Sequence, residues 1–178
     1  MEEALFLKES NDAVYIRAQG HVTANICSDL KLRVFERLES KAPLGAVYVD
    51  LSECEYMDST FMGLLVGFNK RFLRLSERPI TVLRPNETCL KLLRTIGVAR
   101  LVDIRQEDIP FPLVMENLGA ERKASARMLL NAHEDLIELS EENERKFSSL
   151  RTILRGSVSA EGDDAVGGGA ASPPGRGE

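Results

Sequence analysis

The chain has 178 residues, of which 43% are hydrophobic and 29% are charged, and its formal net charge is −5. This length allows one ordinary domain with a buried core and an appended segment. The negative charge argues against direct nucleic-acid binding, which relies on clustered lysine and arginine side chains. No apolar run approaches the roughly 20 residues that a membrane-spanning helix needs.

The amino terminus, the cysteines and the histidines narrow the class of protein further. The chain begins with acidic residues where a secretory signal would be basic, so we expect a cytoplasmic protein. Cys27, Cys54 and Cys89 are widely spaced and predict buried thiols, not a disulfide framework or a metal pair. Only His21 and His133 are available for a catalytic triad or a zinc site, and neither common phosphate-binding loop is present. These features favour a binding module without a metal or cofactor over an enzyme.

Residues 1–110 alternate between strand and helix patterns. Two apolar strands flank a turn cluster at 10–12, which predicts an antiparallel pair. Thr23 is placed to cap a first helix, and a short buried strand follows at 46–49. The later predicted elements are a helix over about 60–75, a strand over 79–83, a helix capped by Asn86 and ended by Gly97, and a last strand over 101–104. The alternation predicts an α/β domain with a small mixed sheet, mainly parallel at its centre, packed against helices.

Residues 111–155 predict a helical extension of different character. From residue 121 onward they contain neither proline nor glycine, and a 3-4 spaced seam predicts one long amphipathic helix. The seam comprises Leu129, His133, Leu136, Ser140, Asn143, Phe147, Leu150 and Leu154. Two alternatives stay open: the helix packs on its own domain, or residues 121–155 form a homodimer or dock a partner. Residues 156–178 are rich in glycine and predict a disordered tail.

Three oxygen-bearing side chains, Asp58, Ser59 and Thr60, stand where the buried strand gives way to the second helix. Each residue type caps helices, so one of them is explained as the N-cap alone. A hydroxyl at this position also suits a phosphoryl group, because free amides and the helix dipole stabilise the anion. Phosphorylation would add about −1.5 to −2 charges and would repel an acidic or apolar partner. This alternative predicts an on/off label for a protein interface.

The helix that follows is apolar nearly all round at its start. Its main face comprises Phe61, Leu64, Leu65, Phe68, Phe72 and Leu75. Met62 and Val66 belong to a second stripe, so the helix is either fully buried or presents that stripe to a partner. Both alternatives stay open, and Met62 and Val66 are the candidate partner contacts.

Acidic residues precede the same junction and raise a third alternative, an enzyme. Asp50, Glu53, Glu55 and Asp58 could serve as a divalent-metal or general-base site if they converged. Because Glu53 and Glu55 alternate along a short loop, we expect a solvated acidic loop instead.

The segment Tyr56-Met57-Asp58-Ser59-Thr60, preceded by the strand at 47–51 and followed by Met62-Gly63-Leu64-Leu65, resembles the STAS domain of bacterial anti-sigma factor antagonists. The resemblance extends to residues 16–20 and 92–98 and covers roughly residues 3–110. It implies a small mixed sheet packed against helices.

The resemblance also implies site residues. Ser59 occupies the position of the family's phosphoacceptor serine, and Thr60 is a secondary candidate. Asp58 would shape recognition by the kinase. Thr23 lies in a loop that commonly neighbours the acceptor and stands where members often carry an acidic residue. Many members have glycine where this chain has Phe61.

The partners implied by the resemblance form a switch. In this family the unphosphorylated antagonist binds an anti-sigma factor, and the held sigma factor is released. The anti-sigma factor is also a serine kinase that inactivates the antagonist by phosphorylation, and a PP2C-type phosphatase resets it. ATP and Mg²⁺ belong to the kinase, so no cofactor is implied for this chain. The alternative is a non-switching STAS subunit of a regulatory or transport-associated assembly, held by its C-terminal helix, with Ser59 only a cap.

Overall fold

The computed structural model describes residues 2–119 and 122–166, with side chains up to residue 161. Within these residues the strands are β1 (Ala4–Glu9), β2 (Ala13–Val22), β3 (Ala46–Met57), β4 (Thr81–Leu83), β5 (Asp103–Arg105) and β6 (Glu116–Leu118). The helices are α1 (Ser28–Glu39), α2 (Ser59–Ser76), α3 (Glu87–Ile96), α4 (Ala126–Ile137) and α5 (Glu141–Val166). Short 3-10 turns span Ala24–Ile26 and Val98–Arg100.

The strands form one mixed sheet in the order β5-β4-β3-β2-β1-β6. β2, β3, β4 and β5 pair in parallel, whereas β1 is antiparallel to both β2 and β6. Each parallel connection passes through a helix and moves one strand in the same direction, so right-handed crossovers place α1, α2 and α3 on one face. The predicted α/β class and the antiparallel amino-terminal pair are confirmed.

The hydrophobic core lies between that face of the sheet and the helices. Alternate residues of the central strands point into it, as Ile16, Val47 and Val49 do, because side chains along a strand alternate between faces. The largest fully buried side chains include Phe61, Phe68 and Phe72 of α2. α2 is therefore a central helix of the fold.

The opposite face of the sheet is crossed by residues 106–115, which connect β5 to β6 at the far edge. Phe111 packs against the rings of Tyr15 and Tyr48 at centroid distances of 5.1 and 6.4 Å. β6 lies inside the segment that the sequence predicted as helical extension. A strand of three residues is too short to show a two-residue alternation in the sequence. What makes it a strand is its pairing with β1, which is a tertiary contact.

The acidic segment before α2 is a strand, so the predicted loop there is wrong. β3 continues to Met57, and its pairing with β2 shifts between Arg17 and Gln19 and again between Gly20 and His21. Each shift inserts an extra residue in β3 and bends it, as β-bulges do. The bulges break the two-residue alternation from which a strand is recognised.

The C-terminal extension is a helical hairpin, so the predicted single helix is also wrong. α4 and α5 are antiparallel, since Arg155 pairs with Glu134 at 3.1 Å while the Ala126 amide donates to Glu161. The break falls at Ser140, whose hydroxyl accepts the amide of Asn143 at 3.0 Å. Ser140 followed by acidic residues is an N-cap signal. The continuous seam across this position led to the prediction of one helix instead of two.

The helix ends and the tail give mixed outcomes. Asn86 caps α3, and Gly97 follows it in the left-handed conformation (φ 93°), both as predicted. Thr23 makes no side-chain cap. α5 continues to Val166, so the predicted disorder is wrong for residues 156–166, and residues 167–178 lie outside the described residues.

The cysteines are free and buried, as predicted. Burial raises the pKa of the Cys27 thiol, so this side chain stays protonated and unreactive. In the part of the chain described by the structure, no helix has both the length and the apolar character needed to span a bilayer.

Candidate functional site

Asp58 holds the start of α2 in place. Its Oδ1 accepts the Phe61 amide at 2.9 Å as the helix N-cap, and its Oδ2 accepts the Ala24 amide at 2.8 Å. Its own amide donates to the Val22 carbonyl at 3.0 Å. These bonds tie α2 to the turn after β2, in which Thr23 is half-buried. The structure thus brings Asp58, Ser59 and the Thr23 turn together.

Ser59 contacts a histidine of the C-terminal extension. Its Oγ lies 2.7 Å from Nε2 of His133, a residue 74 positions later in the chain and 3% exposed. Nδ1 of His133 lies 2.7 Å from the Leu129 carbonyl oxygen and donates to it, because a carbonyl can only accept. In the neutral ring Nε2 then accepts the Ser59 hydroxyl. Phe147 packs edge-on against the imidazole at 5.2 Å.

Sequence reasoning placed His133 on the helical seam and assigned it no contact with the site. The spacing showed only that His133 shares a face with apolar residues. Which surface that face would cover is a tertiary property, so no local signal pointed to Ser59.

A groove of about 700 Å³ opens beside Ser59, between the start of α2, α3 and the first turns of α5. Its lining comprises Tyr56, Asp58, Ser59, Met62, Thr88, Lys91, Leu92, Thr95, Ile96, Lys146 and Phe147. Ser59 is half-buried, with His133 on one side and this groove on the other. The two lysines make the groove a more favourable surrounding for an anion than the net charge of the chain suggests.

α4 lies unusually close to α2. A Cβ atom on Gly63 would lie 2.7 Å from the Ala132 carbonyl carbon and 2.8 Å from the Ala132 Cβ, both far inside contact distance. At Gly67 an added Cβ would meet the Asp135 carboxylate and the Phe35 ring at 3.2 Å. Glycine at both positions therefore permits the close helix crossing.

An ion-pair cluster closes the same interface. Lys70 of α2 donates to Asp135 at 2.7 Å and also to Glu138, both on the α4 side. Partial burial lowers the pKa of Lys70, but its hydrogen bonds to Asp135 and Glu138 outweigh burial and raise it above the ordinary value. The ammonium group therefore remains charged.

Two predicted contact residues, Met62 and Val66, and the secondary phosphoacceptor candidate Thr60 are interior in this structure. Met62 is 3% exposed, Val66 is fully buried and Thr60 is 3% exposed. The reason is that α2 is enclosed by the sheet, α1 and α4. Of the two alternatives left open for the second stripe, the structure has it buried inside the chain.

The seam residues of the extension are likewise packed inside the chain. His133, Leu136, Asn143, Phe147 and Leu154 are all buried against the chain's own helices. Of the two alternatives left open by the sequence, the structure has the extension packed on its own domain.

The acidic residues near the site do not converge. Asp50 is buried on the opposite face of the sheet, where its Oδ2 accepts hydrogen bonds from the Arg17 and Arg84 guanidinium groups at 3.3 Å each. Glu55 pairs with His21 at 3.5 Å on the exposed part of β3. Among the residues that the structure describes, no three His, Cys, Asp or Glu side chains are grouped to hold a metal ion.

Asp58→Ala tests the tie at the start of α2. We expect the free energy of unfolding to fall by about 2 kcal/mol, because a helix cap and a second backbone hydrogen bond are lost together. Urea denaturation measures the change, and Asp108→Ala, whose side chain is 82% exposed, should stay within about 0.5 kcal/mol of wild type. Equal stability of the two variants would contradict the structural role of Asp58.

The comparisons with known proteins agree with this architecture. The family model described as "Mlab, STAS domain" matches residues 5–103, more than half of the chain. Among curated proteins none is similar enough to count as a match.

Two solved structures illustrate the likeness. The anti-sigma factor antagonist SpoIIAA in its unphosphorylated form is 18% identical, with a TM-score of 0.51, over 58% of this chain and 89% of that one. A putative anti-sigma factor antagonist from Thermotoga maritima is 22% identical, with a TM-score of 0.48, over 57% and 85%. SpoIIAA supports the fold, and α4 and α5 lie beyond the residues matched by the family model. From the family match and the mixed sheet that carries the Asp58-capped α2, it follows that the chain belongs to the STAS-domain family.

Proposed function

We propose that the protein is a phosphorylation-switched regulator of the anti-sigma factor antagonist type. The protein binds an anti-sigma factor when Ser59 is unphosphorylated, and phosphorylation of Ser59 ends that binding. The observation that carries the proposal is the position of Ser59 as the first residue of α2, directly after the capping Asp58 and beside an open groove. SpoIIAA, named as an anti-sigma factor antagonist, has the same fold.

The chemistry asked of the chain is that of an acceptor. A partner serine kinase, which carries the ATP and Mg²⁺, transfers the γ-phosphoryl group to the Ser59 Oγ and releases ADP, and the hydroxyl proton passes to the kinase. A PP2C-type phosphatase hydrolyses the ester and restores the hydroxyl. No step is catalysed by the chain itself. We propose that these reactions take place in the bacterial cytoplasm.

The physical effect of the phosphate follows from its surroundings. The Ser59 Oγ is 2.7 Å from His133 Nε2, so a phosphoryl group on Oγ has to break that hydrogen bond. The free amides at the start of α2 and the lysines of the groove, Lys91 and Lys146, favour the anion. About −1.5 to −2 added charges beside Asp58 then disfavour an acidic or apolar partner.

Mass spectrometry of the chain purified from its own cells tests the proposal. We expect a phosphoryl group on Ser59 whose stoichiometry differs between growth and stress. Purified serine kinases of the source organism should phosphorylate the wild-type chain and Thr60→Ala but not Ser59→Ala, since Thr60 is 3% exposed. An unmodified Ser59 under every condition would contradict the switch.

A second candidate is a non-switching STAS subunit of a regulatory or transport-associated assembly. The Ser59–His133 hydrogen bond favours it, because that bond makes Ser59 a structural contact between α2 and α4. This candidate predicts no phosphorylation and an assembly unaffected by Ser59→Ala.

A further inference from the structure

One face of α2 is shaped to receive another helix. It carries Ser59, Gly63, Gly67 and Lys70, which follow one another at helical spacing and which we call the docking surface. Its centre has no side chains, and its two ends carry a hydroxyl and an ammonium group. A surface of this kind accepts a helix at short distance and fixes its register by the polar groups at either end.

α4 matches each feature of the docking surface. Ala132 lies over Gly63, His133 accepts the Ser59 hydroxyl, and Asp135 and Glu138 pair with Lys70. The contact residues of α4 therefore combine a small side chain, a hydrogen-bond acceptor and carboxylates. Since α4 lies outside the family match at residues 5–103, the STAS domain itself does not include this cover.

We propose that the docking surface is the partner-binding surface of this protein and that α4 occupies it as an intramolecular competitor. The partner it fits presents an amphipathic helix with a small residue opposite Gly63 and carboxylates opposite Lys70, and it binds only after α4 has left. This inference rests on the proposed function and adds its regulation.

α4 also covers one side of Ser59, whose Oγ lies 2.7 Å from Nε2 of His133. A tethered helix competes at a high effective concentration. The apparent affinity for a partner is therefore the intrinsic affinity multiplied by the small fraction of chains in which α4 has left. Phosphorylation is limited in the same way, because the kinase has to reach a hydroxyl that His133 holds. Release of α4 is then the step that admits both the partner and the phosphoryl group.

A wedge on the α4 side tests the competition without altering α2. Ala132 is 2% exposed and packs directly against Gly63, so there is no room between α4 and α2 for a larger side chain. Ala132→Leu should therefore dislodge α4. Asn131→Leu adds the same side chain at the adjacent exposed position and is the control. Because Ala132→Leu could also disturb folding, a second variant, Asp135→Lys with Glu138→Lys, repels Lys70 through charge without adding volume at the Gly63 contact.

The probes are the purified serine kinases with a histidine-kinase-like ATP site from the source organism, titrated with each full-length variant. We expect at least one kinase to bind Ala132→Leu at least tenfold more tightly than wild type, the charge-reversed variant about threefold more tightly, and Asn131→Leu equally. Amide hydrogen exchange should be at least tenfold faster in α2 and α4 of Ala132→Leu, and α4 should lose protection in the wild-type complex.

The outcomes separate the inference from the proposed function. Equal affinity of wild type and Ala132→Leu for a kinase, with α4 shown by exchange to be dislodged, would overturn the competition and leave the antagonist function standing. A complex in which α4 keeps its protection would do the same. If no kinase binds any variant, the antagonist function fails, and the inference fails with it.

Discussion

Gly63→Ala is expected to lower the free energy of unfolding by about 3 kcal/mol, the largest effect of any single methyl group that we foresee. The new Cβ would lie 2.7 Å from the Ala132 carbonyl carbon, and a backbone atom cannot turn aside as a side chain can. α4 has to move off α2, and the contacts that it makes there are lost or strained. Urea denaturation followed by circular dichroism measures the change.

Two other glycines serve as graded controls for Gly63→Ala. Gly67→Ala meets only the ends of the Phe35 and Asp135 side chains at 3.2 Å, so we expect a loss below about 1 kcal/mol. Gly156→Ala has nothing within 4 Å and should stabilise α5 by up to about 1 kcal/mol, the helix propensity difference. If Gly63→Ala were as stable as wild type, the close crossing of α2 and α4 would not exist in solution.

Asn143→Ala is expected to cost about 2 to 3 kcal/mol. Asn143 is 1% exposed, and its Nδ2 donates to the carbonyls of Ile96 at 2.8 Å and Leu136 at 2.7 Å. Ile96 is the last residue of α3, where no intrahelical donor follows, whereas the Leu136 carbonyl also accepts the Leu139 amide at 3.1 Å. The variant therefore loses two buried hydrogen bonds and leaves the Ile96 carbonyl without its donor. The same denaturation experiment measures the loss.

Asn131→Ala is the matched control for Asn143→Ala, because Asn131 is exposed on α4. We expect it to stay within about 0.5 kcal/mol of wild type. A loss at Asn143 no greater than at Asn131 would mean that the hairpin is not anchored to α3.

The attachment of the α4–α5 hairpin to α3 helps to hold α4 against α2. Asn143 links the start of α5 to the ends of both α3 and α4, and α3 forms one wall of the groove beside Ser59. A partner that inserts between α3 and α5 would strain this link. We therefore expect displacement of α4 and occupation of the groove to be coupled through the Asn143 amide.

The features predicted correctly from the sequence are those encoded by neighbouring residues. Asn86 caps α3 because its side-chain oxygen meets the amide three residues later, and Gly97 ends α3 because it adopts a positive φ at no steric cost. An N-cap was predicted among residues 58–60, and the structure shows that it is Asp58. The alternation of elements predicted the mixed sheet for the same reason, since crossover connections restrict how such elements pack. The family resemblance around Ser59 rests on the same local stretch of chain.

The sequence by itself therefore determined the α/β fold, the capped strand-to-helix junction and the position of Ser59. Only the tertiary structure decided that α4 covers α2, that His133 meets Ser59 across 74 positions, and that Met62 and Val66 are interior. The physical reason is that an apolar seam on a helix predicts only that this face of the helix is buried. Which surface buries it depends on a fit between distant residues, here Ala132 over Gly63, that no periodicity in the chain records.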